Sequence, residues 1–146
     1  MKIMFLNHSL FTLLLLAFVL ITLPSCDKTE ETVEPTFTSK LVGTWDIHSY
    51  ILGGDEIFGF IIDTAYITFQ QPIGNSGIFY QEVFFTNDET ASSSGRYIID
   101  EAAMQVTMYY EGEPVIVDIT FTGTDKMLWE GAEGQYPLVM QMKKRP

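Results

Sequence analysis

The sequence predicts an all-β protein, an eight-stranded antiparallel up-and-down barrel, and three observations lead to this prediction. From Leu41 onward, apolar and polar residues alternate in short segments, which is the pattern of half-buried strands. Turn-forming stretches rich in Gly, Asp, Asn, Ser and Pro separate these segments, among them QPIGNSG, IDEA and TGTD. No segment keeps the apolar period of a helix long enough to predict one.

The predicted strands cover residues 41–52, 64–70, 77–86, 92–99, 102–110, 114–122, 126–130 and 136–144. Because every turn is short, each strand is expected to pair with its neighbour in the sequence. Closure into a barrel then hides the two edges that an open sheet would expose. A half-open barrel and a two-sheet sandwich are the competing architectures. An eight-stranded barrel has an interior that side chains just fill or that holds one small ligand.

The alternation also assigns each residue to a face. In the first strand Trp45 shares its parity with Leu41, Gly43 and Ile47 and is expected to point inward, whereas His48 points outward. The inward parity of later strands is carried by Met104, Val106, Met108, Tyr110, Val115, Val117, Ile119, Phe121, Tyr136, Leu138, Met140 and Met142. The third strand, GIFYQEVFF, is apolar on both faces, so its outer face should be covered by another group.

A signal peptide is expected over residues 1–25. Lys2 precedes an apolar stretch of 14 residues, 10–23, that only two threonines interrupt. This is shorter than the ~20 residues that cross a bilayer and typical of a signal-peptide hydrophobic region. The alternative is a membrane-spanning anchor over residues 5–23, which would place Asn7, His8 and Ser9 inside the apolar span.

The residues Leu23-Pro24-Ser25-Cys26 resemble the lipobox of bacterial lipoproteins, with Leu three positions before the cysteine and a small residue directly before it. The resemblance implies cleavage before Cys26, lipidation of its thiol and acylation of the new amino terminus by fatty acids such as palmitate. The alternative is a free thiol, which is a liability in an oxidising compartment and has no second cysteine to pair with. Several acyl chains, at ~0.8 kcal/mol per buried methylene, hold a protein stably on a membrane.

Residues 26–40 are acidic, rich in Thr and without an apolar period, which predicts a flexible tether between the lipid and the barrel. The acids that follow the cysteine (Asp27, Glu30 and Glu31) resemble the signals that export Bacteroidetes-type lipoproteins to the cell surface. Asp27 directly after the cysteine also resembles the inner-membrane retention signal of enteric bacteria. The predicted location is the bacterial cell envelope, with the outer membrane favoured and its periplasmic or surface face left open.

The charge of the processed chain argues against nucleic acid as a partner. Removing residues 1–25 removes one Lys and no acid, which leaves 7 basic against 19 acidic residues and a formal net charge of −12. Binding to phosphate requires clustered Lys and Arg, and the only such cluster is residues 143–145 at the carboxyl end. The acidic balance is typical of a solubilising surface.

The segment KLVGTWDIHSY resembles the opening of lipocalin-like domains, whose first strand carries a Gly-x-Trp motif, here Gly43 to Trp45. The segments GRYIIDEAAMQVTM and FTGTDKMLWE are similar to later strands of small lipocalin-like lipoproteins. The Thr-Asp-Tyr motif of the large lipocalins is missing, and the chain has no room for their carboxyl-terminal helix. The resemblance implies that the Trp closes the base of the barrel and that a basic residue of the last strand packs over it. Parity selects Lys144, a one-residue bulge would select Lys143 or Arg145, and a frayed basic tail is the alternative.

The folded part holds five methionines, whose adaptable side chains suit apolar binding surfaces as well as gaps in a core. The connection over residues 53–63 is apolar where loops are usually polar, which predicts a lid hinged at Gly53, Gly54 and Gly59. A plug or a partner-binding patch would show the same pattern. The residues predicted to line a pocket are Trp45, Phe58, Phe60, Phe69, Met104, Met108, Phe121 and Met140.

The leading functional hypothesis is a lipid-anchored lipoprotein whose lipocalin-like barrel binds a small apolar or amphipathic ligand without catalysis. The second is a filled barrel that acts as a protein–protein interaction module in an envelope complex. Catalysis has little support, because His48 is the only histidine after cleavage and lies on the polar parity without a nucleophile motif nearby. No cluster of Cys and His predicts a metal site, and no acidic loop has a known calcium-binding spacing, so neither a metal nor a cofactor is expected.

Overall fold

The structure is a computed structural model that describes residues 34–110 and 113–146. In these residues a short helix precedes nine strands. The helix is α1 (Phe37–Leu41), and the strands are β1 (Gly43–Leu52), β2 (Asp55–Glu56), β3 (Ile62–Phe69), β4 (Ser76–Phe85), β5 (Thr90–Asp100), β6 (Gln105–Tyr110), β7 (Glu113–Thr122), β8 (Lys126–Glu133) and β9 (Tyr136–Lys144).

Eight of the strands form a closed antiparallel barrel. They pair in the order β1, β3, β4, β5, β6, β7, β8, β9, and β9 then pairs with β1 from Trp45↔Lys144 to Leu52↔Leu138. This closing pair confirms the predicted barrel and excludes the half-open barrel and the sandwich. The two-residue strand β2 pairs only with the end of β1 and lies outside the ring.

Because neighbouring strands are antiparallel, successive connections alternate between the two ends of the barrel, and the two ends carry different connections. At the closed end, α1 precedes β1, and the turns β3–β4, β5–β6 and β7–β8 lie beside it. The described connections at the open end are β1–β3 (residues 53–61), β4–β5 (86–89) and β8–β9 (134–135). The core between the ends is built from the inward residues of every barrel strand, the largest being Trp45, Phe69, Phe79, Tyr97 and Trp129. Full burial of an apolar side chain of this kind contributes roughly 1.5–3 kcal/mol.

Helix α1 is not predicted by the sequence pattern, and it moves the start of the folded domain back into the predicted tether. The Thr36 side chain accepts a hydrogen bond from Ser39 N at 3.2 Å and so caps the helix. Phe37 and Leu41, four residues apart on one face, are both buried, and the Phe37 ring packs edge-on against Phe121 at 5.4 Å. Five residues are too few to show a helical period, so the alternation wrongly predicts that the first strand begins at Leu41.

The sequence predictions for the region before α1 lie outside the described residues. They are the signal peptide over residues 1–25, the lipidated Cys26 and the first part of the tether. Within residues 34–110 and 113–146, no helix reaches the length and hydropathy needed to span a membrane.

Two β-bulges re-aim side chains along the barrel wall. The register between β1 and β9 shifts at His48, so that Tyr50 and Leu52 face inward after the bulge, in step with Met140 and Leu138. A second shift, at position 63 of β3, lies in the pairing with β4. The first bulge matters for function because it places a tyrosine hydroxyl inside the open end.

The turn between β5 and β6 corrects one core assignment. Residues 102–104 were predicted as the start of a strand, but β6 begins at Gln105. Met104 instead occupies the turn with φ +57° and is 43% exposed, whereas Met108, further along on β6, is fully buried. A residue held at positive φ leaves the strand alternation, so Met104 contributes neither to the core nor to the interior.

Candidate functional site

The Gly-x-Trp motif and the end of β9 form one structure at the closed end. Trp45 is fully buried, and its Nε1 donates a hydrogen bond to Leu41 O at 2.7 Å. Lys144 Nζ lies 5.3 Å from the centre of the Trp45 ring and donates to Lys40 O at 2.8 Å. The structure thus places Lys144, rather than Lys143 or Arg145, over the Trp45 ring, within the range of a cation–π contact.

Arg145 is also held by the fold, on the outer surface. It forms an ion pair with Asp46 on β1, and its guanidinium lies 4.7 Å from the centre of the Tyr66 ring. Both contacts are made by side chains of neighbouring strands. The carboxyl end of the chain is therefore packed against the barrel as far as Arg145 and is not a frayed tail.

The interior at the open end contains a cavity of about 360 Å³. Its lining residues come from six strands and are Tyr50, Gln81, Tyr110, Val115, Trp129, Ala132, Glu133, Leu138 and Met140. The most buried of them are Trp129, Leu138 and Met140, which are 2%, 6% and 5% exposed and so form its deep part. The cavity has an apolar depth and a rim that carries hydroxyl, amide and carboxylate groups.

Two tyrosine hydroxyls organise this rim. Tyr50 Oη donates to Glu133 Oε2 at 3.0 Å, and Tyr110 Oη donates to Gln81 Oε1 at 2.8 Å. Burial, with the charge of Glu133 added, raises the pKa of Tyr50 and of Tyr110 far above the usual value for a phenol. Both hydroxyls therefore stay protonated at neutral pH, and each keeps acceptor capacity that a ligand can use.

Trp129 carries an unusual buried donor. Its Nε1 is buried and donates to no acceptor among the residues that the structure describes. A buried N–H without a partner costs roughly 1–3 kcal/mol, and native proteins hold few of them. Trp129 also lines the cavity, but its Nε1 has almost no accessible surface, so an acceptor bound in the cavity would reach it only after the indole shifts.

Of the eight residues predicted to line a pocket, Met140 is the one that contributes to this cavity. Trp45 and Phe121 pack together at the closed end, with ring centres 5.9 Å apart. Phe69 is buried against Trp129 and Tyr97, and Met108 is buried in the core. These four side chains fill the barrel between the cavity and the closed end. The sequence pattern therefore assigns them correctly to the interior but predicts the pocket too close to the closed end.

The predicted lid over residues 53–63 is a compact turn held on β1. Glu56 Oε1 accepts hydrogen bonds from Tyr50 N at 2.8 Å and Phe58 N at 3.0 Å, and Ile57 N donates to Tyr50 O at 2.9 Å. Burial alone would raise the pKa of Glu56, but the hydrogen bonds from Ser49, Tyr50 and Phe58 together lower it. Phe58 packs against the core, Phe60 is 81% exposed, and no described residue of the segment lines the cavity.

Sequence reasoning missed most of the rim. Tyr50 was missed because the bulge at His48 interrupts the alternation, and Glu133 because the strand was predicted to end at residue 130. Gln81 is a polar residue on an inward position, which the pattern of inward apolar residues does not select. Tyr110 had the inward parity, and its contact with Phe79 at 4.8 Å between ring centres fixes it there.

His48 lies at the bulge with its side chain exposed, as its parity predicts. It borders a groove on the outer wall together with Lys126, Lys143 and Gln141. In the part of the chain that the structure describes, no three His, Cys, Asp or Glu side chains gather as metal ligands would. His48 thus stands apart from the cavity at the open end.

The fold and the cavity define a class of protein, a closed lipocalin-like β-barrel with an open-end cavity. The chain is similar to a lipocalin-like protein from Bacteroides uniformis (TM-score 0.50, 13% identity, 73% of this chain and 99% of that one). It is also similar to a redesigned β-barrel (TM-score 0.60, 12% identity, 77% and 98%). Japanin from Rhipicephalus appendiculatus, solved bound to cholesterol, gives a TM-score of 0.52 at 10% identity over 70% of this chain and 74% of Japanin. The sequence matches no protein-family model and no curated protein.

Proposed function

We propose that the protein is a lipoprotein of the bacterial cell envelope whose barrel binds a small apolar or amphipathic ligand in the open-end cavity, without catalysis. The observation that carries the proposal is the cavity itself. Its volume of about 360 Å³ exceeds the roughly 300 Å³ of the smallest common ligand sites. A filled barrel would have no such space.

The lining indicates the size and polarity of the ligand. A space of about 360 Å³ equals the volume of about 12 water molecules in the liquid, which suits a molecule of about a dozen non-hydrogen atoms. Val115, Trp129, Leu138 and Met140 would bury its apolar part, at roughly 25 cal/mol per Å² removed from water. A polar end of the ligand would reach the Tyr50 and Glu133 groups at the rim.

The comparison with Japanin supports the proposal at the level of the fold. In that protein a barrel of similar architecture is solved with cholesterol bound. The deep apolar lining of the present cavity is the feature that an apolar molecule requires. At 10% identity the likeness extends to the fold and not to individual contacts, so the ligand class comes from the lining residues of this chain.

Lipid anchoring through Cys26 is the second part of the proposal. It is supported by the lipobox-like residues 23–26 and by the apolar segment before them. The chain enters the barrel at its closed end, through α1. Replacing Cys26 by Ala is expected to move the protein from washed membranes into the soluble fraction, and continued sedimentation of the variant with membranes would contradict the anchor.

The experiment that tests ligand binding is native mass spectrometry of the protein purified from its own organism, followed by identification of any bound small molecule. The matched variants are Val115→Trp, which fills the cavity, and Ile116→Trp, which adds the same side chain on the outer wall, where Ile116 is 58% exposed. The protein–ligand complex is expected in the mass spectra of the wild type and of Ile116→Trp, and it is expected to be missing from that of Val115→Trp. Retention of the ligand by a folded Val115→Trp variant would place it elsewhere.

One observation favours a protein–protein interaction module as a second candidate. The outer face of β4 was predicted to be covered, yet Ile78 and Tyr80 are 48% and 45% exposed there. A partner that covers this face would be trapped by a photo-crosslinking amino acid at position 80 in intact cells, and the same group at exposed Glu130 is the control. Crosslinks that form equally at both positions would contradict a specific interface on β4.

A further inference from the structure

The described connections at the open end of the barrel are acidic. They are residues 53–61, 86–89 and 134–135, and they contain no Lys, Arg or His. They contain four acids, which are Asp55, Glu56, Asp88 and Glu89. A mouth surrounded by one sign of charge raises the local concentration of the opposite sign and repels its own.

Five of the six basic residues of the described domain lie away from this mouth. Lys40, Lys126, Lys143, Lys144 and Arg145 belong to the closed end, next to α1 and the β7–β8 turn. Arg96 on β5 stacks over the Tyr109 ring, with its guanidinium 4.5 Å from the ring centre. Arg96 is exposed towards the open end but does not line the cavity. An anion that reaches the cavity therefore meets no basic side chain among its described lining residues.

Glu133 brings a negative charge to the rim of the cavity, where the residue is exposed. It is the one charged residue among the described residues that line the space, and one of its oxygens accepts the hydrogen bond from Tyr50. The remaining acceptor capacity of the carboxylate is available to a donor on a ligand. Ammonium–carboxylate hydrogen bonds are roughly twice as strong as neutral ones, whereas a second carboxylate at this place would face a like charge.

We propose that the ligand is a small cationic amphiphile, with an apolar body in the depth of the cavity and a protonated amine at the rim that binds Glu133. The inference rests on the proposed function and specifies the chemical class of its ligand. It excludes fatty acids and other apolar carboxylates of the same size, for which the cavity offers an apolar wall but no cation among its described lining residues.

The test compares three probes that share one apolar body and differ in charge: 2-naphthylmethylamine, 2-naphthalenemethanol and 2-naphthoic acid. Their dissociation constants for the purified wild-type protein are measured by isothermal titration calorimetry at neutral pH and low salt. The amine is expected to bind tightest and the acid weakest, with about tenfold or more between the two. An acid that binds as tightly as the amine would overturn the inference and leave the cavity as a ligand site intact. If none of the three probes bound, both the inference and the proposed function would be contradicted.

Two variants test whether Glu133 causes the preference for the amine probe. Glu133→Gln keeps the shape of the side chain, removes the charge, and is expected to reduce the preference for the amine over the alcohol to near unity. Glu130→Gln removes the same charge from an exposed position on the same strand and is expected to leave the preference unchanged. An amine preference that persisted in Glu133→Gln would refute the role of this carboxylate.

Discussion

Lys144 lies over Trp45 because Gly43 leaves room for it. A Cβ atom at position 43 would stand 2.9 Å from Lys144 Cε, and Gly43 has φ +124°, a conformation that other residues rarely adopt. The glycine of the motif therefore has two physical functions. It permits the backbone geometry at the start of β1, and it lets the lysine chain pass from β9 to the tryptophan ring.

Gly43→Ala is expected to lower the free energy of unfolding by about 2–4 kcal/mol, from backbone strain together with the displaced Lys144 side chain. Urea denaturation of the variant measures this loss. Gly54→Ala is the matched control, since Gly54 also has positive φ but no atom within 4 Å of the added Cβ, and it reports strain alone. In a Lys144→Ala background, which removes Cε and Nζ, the extra cost of Gly43→Ala is expected to shrink to that of Gly54→Ala. Equal costs at positions 43 and 54 in the wild-type background would show that the lysine contributes nothing.

Phe37→Ala is expected to destabilise the barrel by about 2–4 kcal/mol, because it empties the contact with Phe121 at the closed end. Ser39→Ala changes an exposed residue of the same helix and is expected to cost well under half as much. Thermal unfolding of both variants checks the difference. A wild-type stability for Phe37→Ala would mean that residues 36–40 act as part of the tether, as the sequence alone predicted.

The contrast between Trp45 and Tyr50 shows what the sequence could and could not predict. Trp45 and Ile47 precede the bulge at His48, and Trp45 pairs with Lys144, so parity correctly predicts that Lys144 faces Trp45. Helix α1 at the same end could not be predicted in this way. Tyr50 lies beyond the bulge, and a single inserted residue reverses the parity of the residues after it. Nothing in the local pattern around His48 distinguishes a bulge from a regular strand, since the bulge is set by the pairing with β9.

The pocket was misplaced for a related reason. Inward apolar residues such as Phe69 and Met108 were correctly assigned to the interior, but whether an interior position is filled depends on the neighbours across the barrel. Phe69 is surrounded by Tyr97 and Trp129, with ring centres 5.3 and 6.2 Å away. At the open end, the smaller Val115 and the polar Gln81 leave space that no single strand reveals.

Alkaline pH is expected to destabilise the barrel through its buried phenols. Burial raises the pKa of Tyr97 to about 12, from an ordinary value of 10.0 in the unfolded chain. Between these values the folded state binds more protons than the unfolded state, so the stability that is present below pH 10 is lost as the pH rises towards 12. Unfolding by urea, measured at intervals from pH 8 to about 12, checks the slope.

Tyr97→Phe is the control for this pH dependence. It removes the hydrogen bond from Tyr97 Oη to Gln70 O and is expected to cost about 1 kcal/mol at neutral pH. It is also expected to make the loss of stability above pH 10 shallower, while Tyr50 and Tyr110, whose pKa values are raised as well, keep part of it. An unchanged slope in Tyr97→Phe would mean that the proton linkage lies in other groups.

The two tryptophans provide an internal test of the cavity. Trp45 Nε1 already donates to Leu41 O at the closed end. Trp129 Nε1 has no acceptor among the described residues, and the Trp129 side chain lines the cavity. Addition of 2-naphthylmethylamine is therefore expected to shift the indole N–H resonance of Trp129 in a ¹⁵N-correlated NMR spectrum and to leave that of Trp45 in place. Trp45→Phe and Trp129→Phe assign the two resonances.

The direction of the Trp129 shift carries further information about the bound molecule. An N–H that gains an acceptor moves downfield and exchanges more slowly with water, so a downfield shift of Trp129 would show that an acceptor of the bound molecule reaches Nε1. The naphthyl ring offers only its π face as a weak acceptor and is expected to move the resonance through ring currents instead. The packed core separates Trp45 from the cavity. Equal shifts of both resonances would therefore mean that the probe perturbs the whole barrel. A shift of Trp45 alone would mean that the probe binds at the closed end.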